Sequence, residues 1–138
     1  MKRQPTVYVI DDDPAILHVL AELIGLTGLN TKSYASATEF LEAYEATSPA
    51  CLVLDVRLPG MSGPELQQRL AHSGNALPII FITGHADAAI EAEAMKHGAI
   101  GFLEKPFRPQ ELIENIQKAI ALAEENWQSP SQSPHAPP

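Results

Sequence analysis

A single cysteine, Cys51, among 138 residues excludes an internal disulfide and any metal site built on several thiols. It stands within the apolar run Cys51–Leu54 and reads as a buried structural thiol, which fits a reducing compartment. Basic residues are scarce: nine Lys and Arg face seventeen Asp and Glu, a formal net charge of −8, and no basic run offsets it. Direct binding of a nucleic-acid backbone by this segment is therefore not expected, because that affinity rests on clustered cations. Long apolar runs are also missing. After Met1-Lys2-Arg3-Gln4-Pro5, the run Thr6–Ile10 stops at aspartates, too short for a signal peptide or a membrane span. The expected location is cytoplasmic, away from membranes. Neither of the glycine-rich phosphate loops, G-x-x-x-x-G-K-[ST] or G-x-G-x-x-G, occurs, which argues against nucleotide binding. What is present is enough apolar material, 45% of the chain, to fill one core, so one domain is expected.

Short apolar runs alternate with longer helical patterns. Thr6–Ile10, Asn30–Tyr34, Cys51–Leu54, Ile79–Ile82 and Ile100–Leu103 are each followed by a helix, a five-fold βα series that predicts an α/β fold on a parallel sheet. Four of the runs are almost wholly apolar, as strands covered on both faces must be; Asn30–Tyr34 is mostly polar and predicts a sheet edge. Asp13 before Pro14 and Gly63 before Pro64 read as N-caps followed by a first-turn proline, and Pro109 opens the last helix. Ser36 and Glu39 have capping-box spacing, while Gly28 and Gly98 suit helix ends that need a left-handed backbone. The helix between Asp87 and His97 has only Ile90 and Met95 as large apolar groups and is expected to be the least firmly anchored. The domain is expected to span residues 1–125. From 126 to 138 the chain becomes rich in proline and serine without periodicity, which predicts a disordered tail or linker.

The chemistry stands at strand ends. Asp11 and Asp12 follow the first strand, Asp55 the third, Thr83 the fourth, and Lys105 the fifth after Glu104. In an open parallel sheet, ligands bind beyond the carboxyl ends of the strands, near the point where strand order reverses. A right-handed crossover that reverses after the second strand would make the first and third neighbours and bring the three carboxylates into one cleft. Oxygen ligands from Asp12 and Asp55 suit a hard cation such as Mg2+. A carboxylate nucleophile beside that cation and the Lys105 ammonium suits acyl-phosphate formation. Three crowded carboxylates should raise at least one of their pKa values.

Four blocks resemble, in order and spacing, the motifs of receiver domains of bacterial two-component response regulators. These are Val7 to Asp13, Leu54 to Gly63, Ile82 to His85, and Phe102 to Phe107, and the likeness covers residues 6 to about 123. The resemblance implies a doubly wound (βα)5 fold of flavodoxin-like strand order 2-1-3-4-5. It implies that Asp55 is phosphorylated, that Asp12, Asp55 and the main-chain carbonyl of Arg57 hold Mg2+ with Asp11 assisting, and that Thr83 and Lys105 contact the phosphoryl group. Thr83 and Phe102 occupy the switch positions, and the bond before Pro106 is implied to be cis. The partners implied are a sensor histidine kinase or histidine phosphotransfer protein as donor, an output protein or domain on the face of the fourth helix, fifth strand and fifth helix, and a phosphorylation-dependent homodimer.

Thr83-Gly84-His85 and Glu104-Lys105-Pro106-Phe107 look most like the branch of nitrogen-fixation regulators, whose members usually continue into a DNA-binding helix-turn-helix. A second expectation follows: a receiver segment of a DNA-binding transcriptional regulator whose output domain is not in these residues. The competing enzyme reading, a haloacid-dehalogenase-type phosphatase, needs an acid two residues after the nucleophile, where this chain has Arg57. The expectation is a phosphoacceptor that takes part in its own phosphorylation and dephosphorylation, not an enzyme acting on foreign esters.

Overall fold

The computed structural model describes residues 4–127. Strands β1 (Thr6–Ile10), β2 (Asn30–Tyr34), β3 (Ala50–Asp55), β4 (Ile79–Thr83) and β5 (Gly101–Glu104) alternate with helices α1 (Pro14–Gly25), α2 (Ala37–Ala43), α3 (Gly63–His72), α4 (Ala88–Lys96) and α5 (Pro109–Asn126). The strands form one parallel sheet in the order β2-β1-β3-β4-β5. Asp55, Thr83 and Glu104 are thus the last residues of their strands rather than the first residues beyond them.

The two-residue period of each strand divides its apolar side chains between the sheet's faces. Tyr8, Ile10, Leu52, Leu54 and Phe81 pack with Phe40 of α2, Leu66 and Leu70 of α3 and Ala94 of α4. Val7, Val9, Cys51, Val53, Ile80 and Ile82 pack with Leu20 and Ile24 of α1 and with Leu112, Ile116, Ala119 and Ile120 of α5. Each fully buried large aliphatic or aromatic group contributes roughly 1.5–3 kcal/mol, so the near-continuous apolar runs hold the central strands from both sides. β2 pairs only with β1, and its side chains are exposed or half-buried, as its polar sequence predicts for an edge.

The caps largely follow the sequence. Asp13 accepts a hydrogen bond from Ala15 N–H ahead of Pro14, and Gly28 and Gly98 have φ of 84° and 95°. At α3 the cap lies one residue earlier than expected: Ser62 is the N-cap, in a full capping box with Glu65, and Gly63 is already helical. At α2, Ser36 accepts from Glu39 N–H, but the Glu39 carboxylate accepts from the Ser36 hydroxyl instead of returning to its backbone. α5 runs through Asn126, so that residue is helical, and residues 128–138 of the expected tail lie outside the described residues. Among the described residues, no helix is long and apolar enough to cross a membrane.

Candidate functional site

Because β1 and β3 are adjacent and in register, with Ile10 opposite Leu54, the residues that follow these two positions emerge side by side at the same sheet end. Asp11, Asp12 and Asp55 converge there, each offering a carboxylate oxygen within 4.8 Å of the others. Their settings differ: Asp11 is fully buried, Asp55 is 5% exposed, and Asp12 faces solvent. Lys105 directly follows the last residue of β5, and the Lys105–Pro106 bond after it is cis. Its Nζ donates to Asp11 Oδ2 at 2.8 Å and to Asp55 Oδ2 at 3.3 Å.

The backbone completes the frame. Arg57 N–H donates to Asp55 Oδ1 at 3.1 Å and Asp13 N–H to Asp11 Oδ1 at 2.9 Å, so each carboxylate has one oxygen on the lysine and one on a main-chain donor. Gly63 lies directly behind: a side chain there would collide with the Asp55 carbonyl oxygen. Burial raises the Asp55 pKa above the usual carboxylate range, the Asp11 charge adds to it, and the Arg57 N–H and Lys105 oppose it. The expected upward shift is therefore present, but desolvation outweighs like-charge repulsion as its cause. Burial pulls the Lys105 ammonium down, yet the Asp11 hydrogen bond and the two carboxylate charges offset this and hold its pKa above the ordinary value.

Three oxygen donors from two neighbouring strand ends, one of them open to solvent, form the donor set that a hard divalent cation takes while keeping several waters. Lys105 compensates one of the three negative charges, leaving a surplus that such an ion would neutralise. The residues fit a Mg2+-type ion.

Thr83 is fully buried at the end of β4, one step beyond Ile82, which pairs with Asp55. Its hydroxyl donates to the His85 carbonyl at 3.1 Å and accepts from His85 N–H at 3.2 Å. Phe102 on β5 is half-buried against Phe81, ring centroids 6.1 Å apart. Two participants escaped the sequence reading. Glu104 accepts a 3.4 Å hydrogen bond from Ala86 N–H and so links β5 to the β4–α4 loop; a lone strand-end glutamate carries no signal of this. Gln67 is buried between α3 and α4. Only its place on the Gly63-Leu66-Leu70 face of α3 hinted at that.

The family model for the response regulator receiver domain matches residues 7–117. The response regulator protein TmoT of Ectopseudomonas mendocina is 42% identical over 98% of this chain and 59% of its own length. The transcriptional regulatory protein FixJ of Bradyrhizobium diazoefficiens is 42% identical over 86% of this chain and 58% of its own. The crystal structure of FixJ-N superposes with a TM-score of 0.79 at 36% identity, covering 94% of this chain and 99% of that one. The chain thus spans less than two thirds of the length of these curated relatives.

Proposed function

The chain belongs to the response regulator receiver domain family, in a branch like that of the nitrogen-fixation regulators, and on that premise we propose that Asp55 is its phosphoacceptor. The observation that carries the assignment is Lys105, whose ammonium joins Asp55 to Asp11 while Asp12 stands within ligand reach of both. Asp11 and Asp55 are both aligned by a main-chain N–H and the lysine, but the Asp11 side chain is fully buried, whereas that of Asp55 keeps an exposed edge at the strand end.

In the proposed reaction, an Asp55 carboxylate oxygen attacks the phosphorus of a phosphohistidine on a sensor kinase or phosphotransfer protein. The P–N bond breaks, the imidazole nitrogen leaves, and an acyl phosphate forms on Asp55. Lys105 already contacts Asp55 and supplies positive charge where the transferring oxygens become negative. Asp11 holds that ammonium in place, and Asp12 with Asp55 and the Arg57 carbonyl would hold the divalent cation. Bound there, Mg2+ supplies charge neutralisation and orientation of the phosphoryl group. To donate to a phosphoryl oxygen, the Thr83 hydroxyl gives up its bond to the His85 carbonyl, which ties occupancy of Asp55 to the β4–α4 loop. The domain acts as a phosphoacceptor and not as an enzyme on foreign esters, for Arg57 stands where a phosphatase would need its acid.

A small-molecule donor such as acetyl phosphate, with Mg2+, should label the full chain once. Asp55→Asn should abolish labelling, and Asp12→Ala should remove most of its Mg2+ dependence. Undiminished labelling of Asp55→Asn would move the nucleophile elsewhere. A second reading concerns context: the length of the relatives, one of them named a transcriptional regulatory protein, favours a receiver segment that governs a DNA-binding output domain.

A further inference from the structure

α4 is held unequally at its two ends. Only Ala94 of its residues is buried; Ile90 is half-buried and Met95 exposed, so apolar packing alone anchors it weakly. Its C-terminal end is nevertheless tightly tied. Ala99 N–H donates to the Ala94 carbonyl at 3.0 Å and Gly98 N–H to the Met95 carbonyl at 3.1 Å, the two bonds of a Schellman stop around Gly98. Gln67, 6% exposed on α3, then donates through Nε2 to the Ala94 carbonyl at 3.2 Å and to the His97 carbonyl at 3.4 Å.

The N-terminal end has no fully buried tie of its own: Ile90 is half-buried, and the hydrogen bonds there are exposed or part-buried. Asp87 caps its own first turn, and the loop before it rests on the Thr83–His85 bonds and the Glu104–Ala86 bond. Between the two helices runs an open groove of about 330 Å3, lined by Pro64, Gln67, Ala89, Ile90 and Ala94 among others. The groove also reaches Glu93 and His97, so α4 has space along both halves of its α3 side, with a buried polar clamp on its last turn alone.

We propose that Gln67 is the pivot of α4: the helix swings its N-terminal half into or away from the α3 groove while the Gln67 amide holds Ala94 and His97. The inference deepens the phosphoacceptor reading, because Thr83 and His85 begin the loop that would drive the swing, but the unequal anchoring exists without phosphate. The Gln67 amide hydrogen-bonds to Ala94 and His97 and not to the site carboxylates, so Gln67 is a positioning residue.

The test is amide hydrogen exchange and chemical-shift mapping of the full chain, wild type against Gln67→Met, with Arg69→Met, exposed on the same helix and outside the groove, as control. In the unliganded wild type, the amides of Glu91 to Glu93 should exchange faster than those of His97 to Ala99. Uniform exchange along α4 would overturn the proposal. Gln67→Met should accelerate exchange at Gly98 and Ala99 roughly tenfold, the loss of one buried hydrogen bond, while Leu66 and Leu70 keep their rates. A variant in which every amide shifts together would reduce Gln67 to a structural role and equally overturn the pivot. On adding beryllofluoride and Mg2+, wild-type shifts should diminish from Ala86 toward Ala99, and Gln67→Met should lose that gradient; retention of it counts against the proposal. Absence of any shift at Val56 and Thr83 would instead sink the phosphoacceptor reading, with the pivot still decided by the unliganded exchange data.

Discussion

Cys51 shows how far a single side chain can be read. Its apolar neighbours marked it as a buried structural thiol, and it is fully buried on the α1 and α5 side of β3. Burial pushes the thiol up to about 12. An unfolded thiol ionises near 8.5, so the folded state holds a proton that the unfolded state gives up. Stability should therefore fall as pH rises from about 8.5, and this loss is complete only above the folded value. Tyr8 and Tyr44, both raised by burial, add a loss of the same sign beginning near pH 10. Between about pH 8 and 9, below the range where these tyrosines and Lys105 titrate, the thiol dominates. Urea midpoints measured there should decline for the wild type and stay flat for Cys51→Ala; parallel profiles for the two proteins would contradict this account.

Among the elements, α3 carries a constraint that a capping pattern could not express. Gly63 before Pro64 reads as a cap, yet Ser62 takes that role because its hydroxyl and Glu65 complete both halves of the box. Gly63 is glycine for another reason. The first turn of α3 passes so close behind β3 that a Cβ would overlap the Asp55 carbonyl oxygen and lie 3.1 Å from the Phe81 ring and 3.2 Å from Val56 Cα. Neither backbone can yield without displacing the strand end that carries Asp55. Gly63→Ala should cost about 1–3 kcal/mol by overpacking and slow labelling of Asp55. Gly84→Ala, with nothing within 4 Å of its added carbon, is the matched control and should leave stability nearly unchanged. Equal urea midpoints for Gly63→Ala and wild type would refute the close-approach argument.

At the scale of the whole molecule, one sheet end joins every part of the proposed switch. Asp55 lies beside Ile82, Thr83 pairs with Glu104, and Phe81 pairs with Phe102, so a change at the site meets β4 and β5 before any other strand except β1. The opposite edge is different: β2 pairs with β1 alone in the sheet, and its nearest tie to the site is a main-chain bond, 3.2 Å from Asp11 N–H to the Tyr34 carbonyl. Beryllofluoride with Mg2+ should accordingly concentrate amide-shift changes between residues 83 and 118, across α4, β5 and the first part of α5. Maximal changes away from the site at residues 30–45 would assign the output face to the other edge.

The sequence by itself determined the βα alternation, the edge character of β2 and the strand-end positions of Asp11, Asp12, Asp55, Thr83 and Lys105. Periodicity and chain order are local properties; the strand order itself was implied by the resemblance of four separated blocks to receiver domains, not by the pattern. The weak anchoring of α4 was legible for the same reason, since its Ala88–Lys96 sequence contains few large apolar groups. Tertiary structure alone decided which contacts cross between elements. Lys105 bonds to Asp11 more closely than to Asp55, burial outweighs repulsion in raising Asp55, and Gln67 spends its amide on the last turn of α4. Each depends on distances between residues roughly 30 to 94 apart in the chain, which local pattern does not encode and which only the packing of helices on a twisted sheet sets.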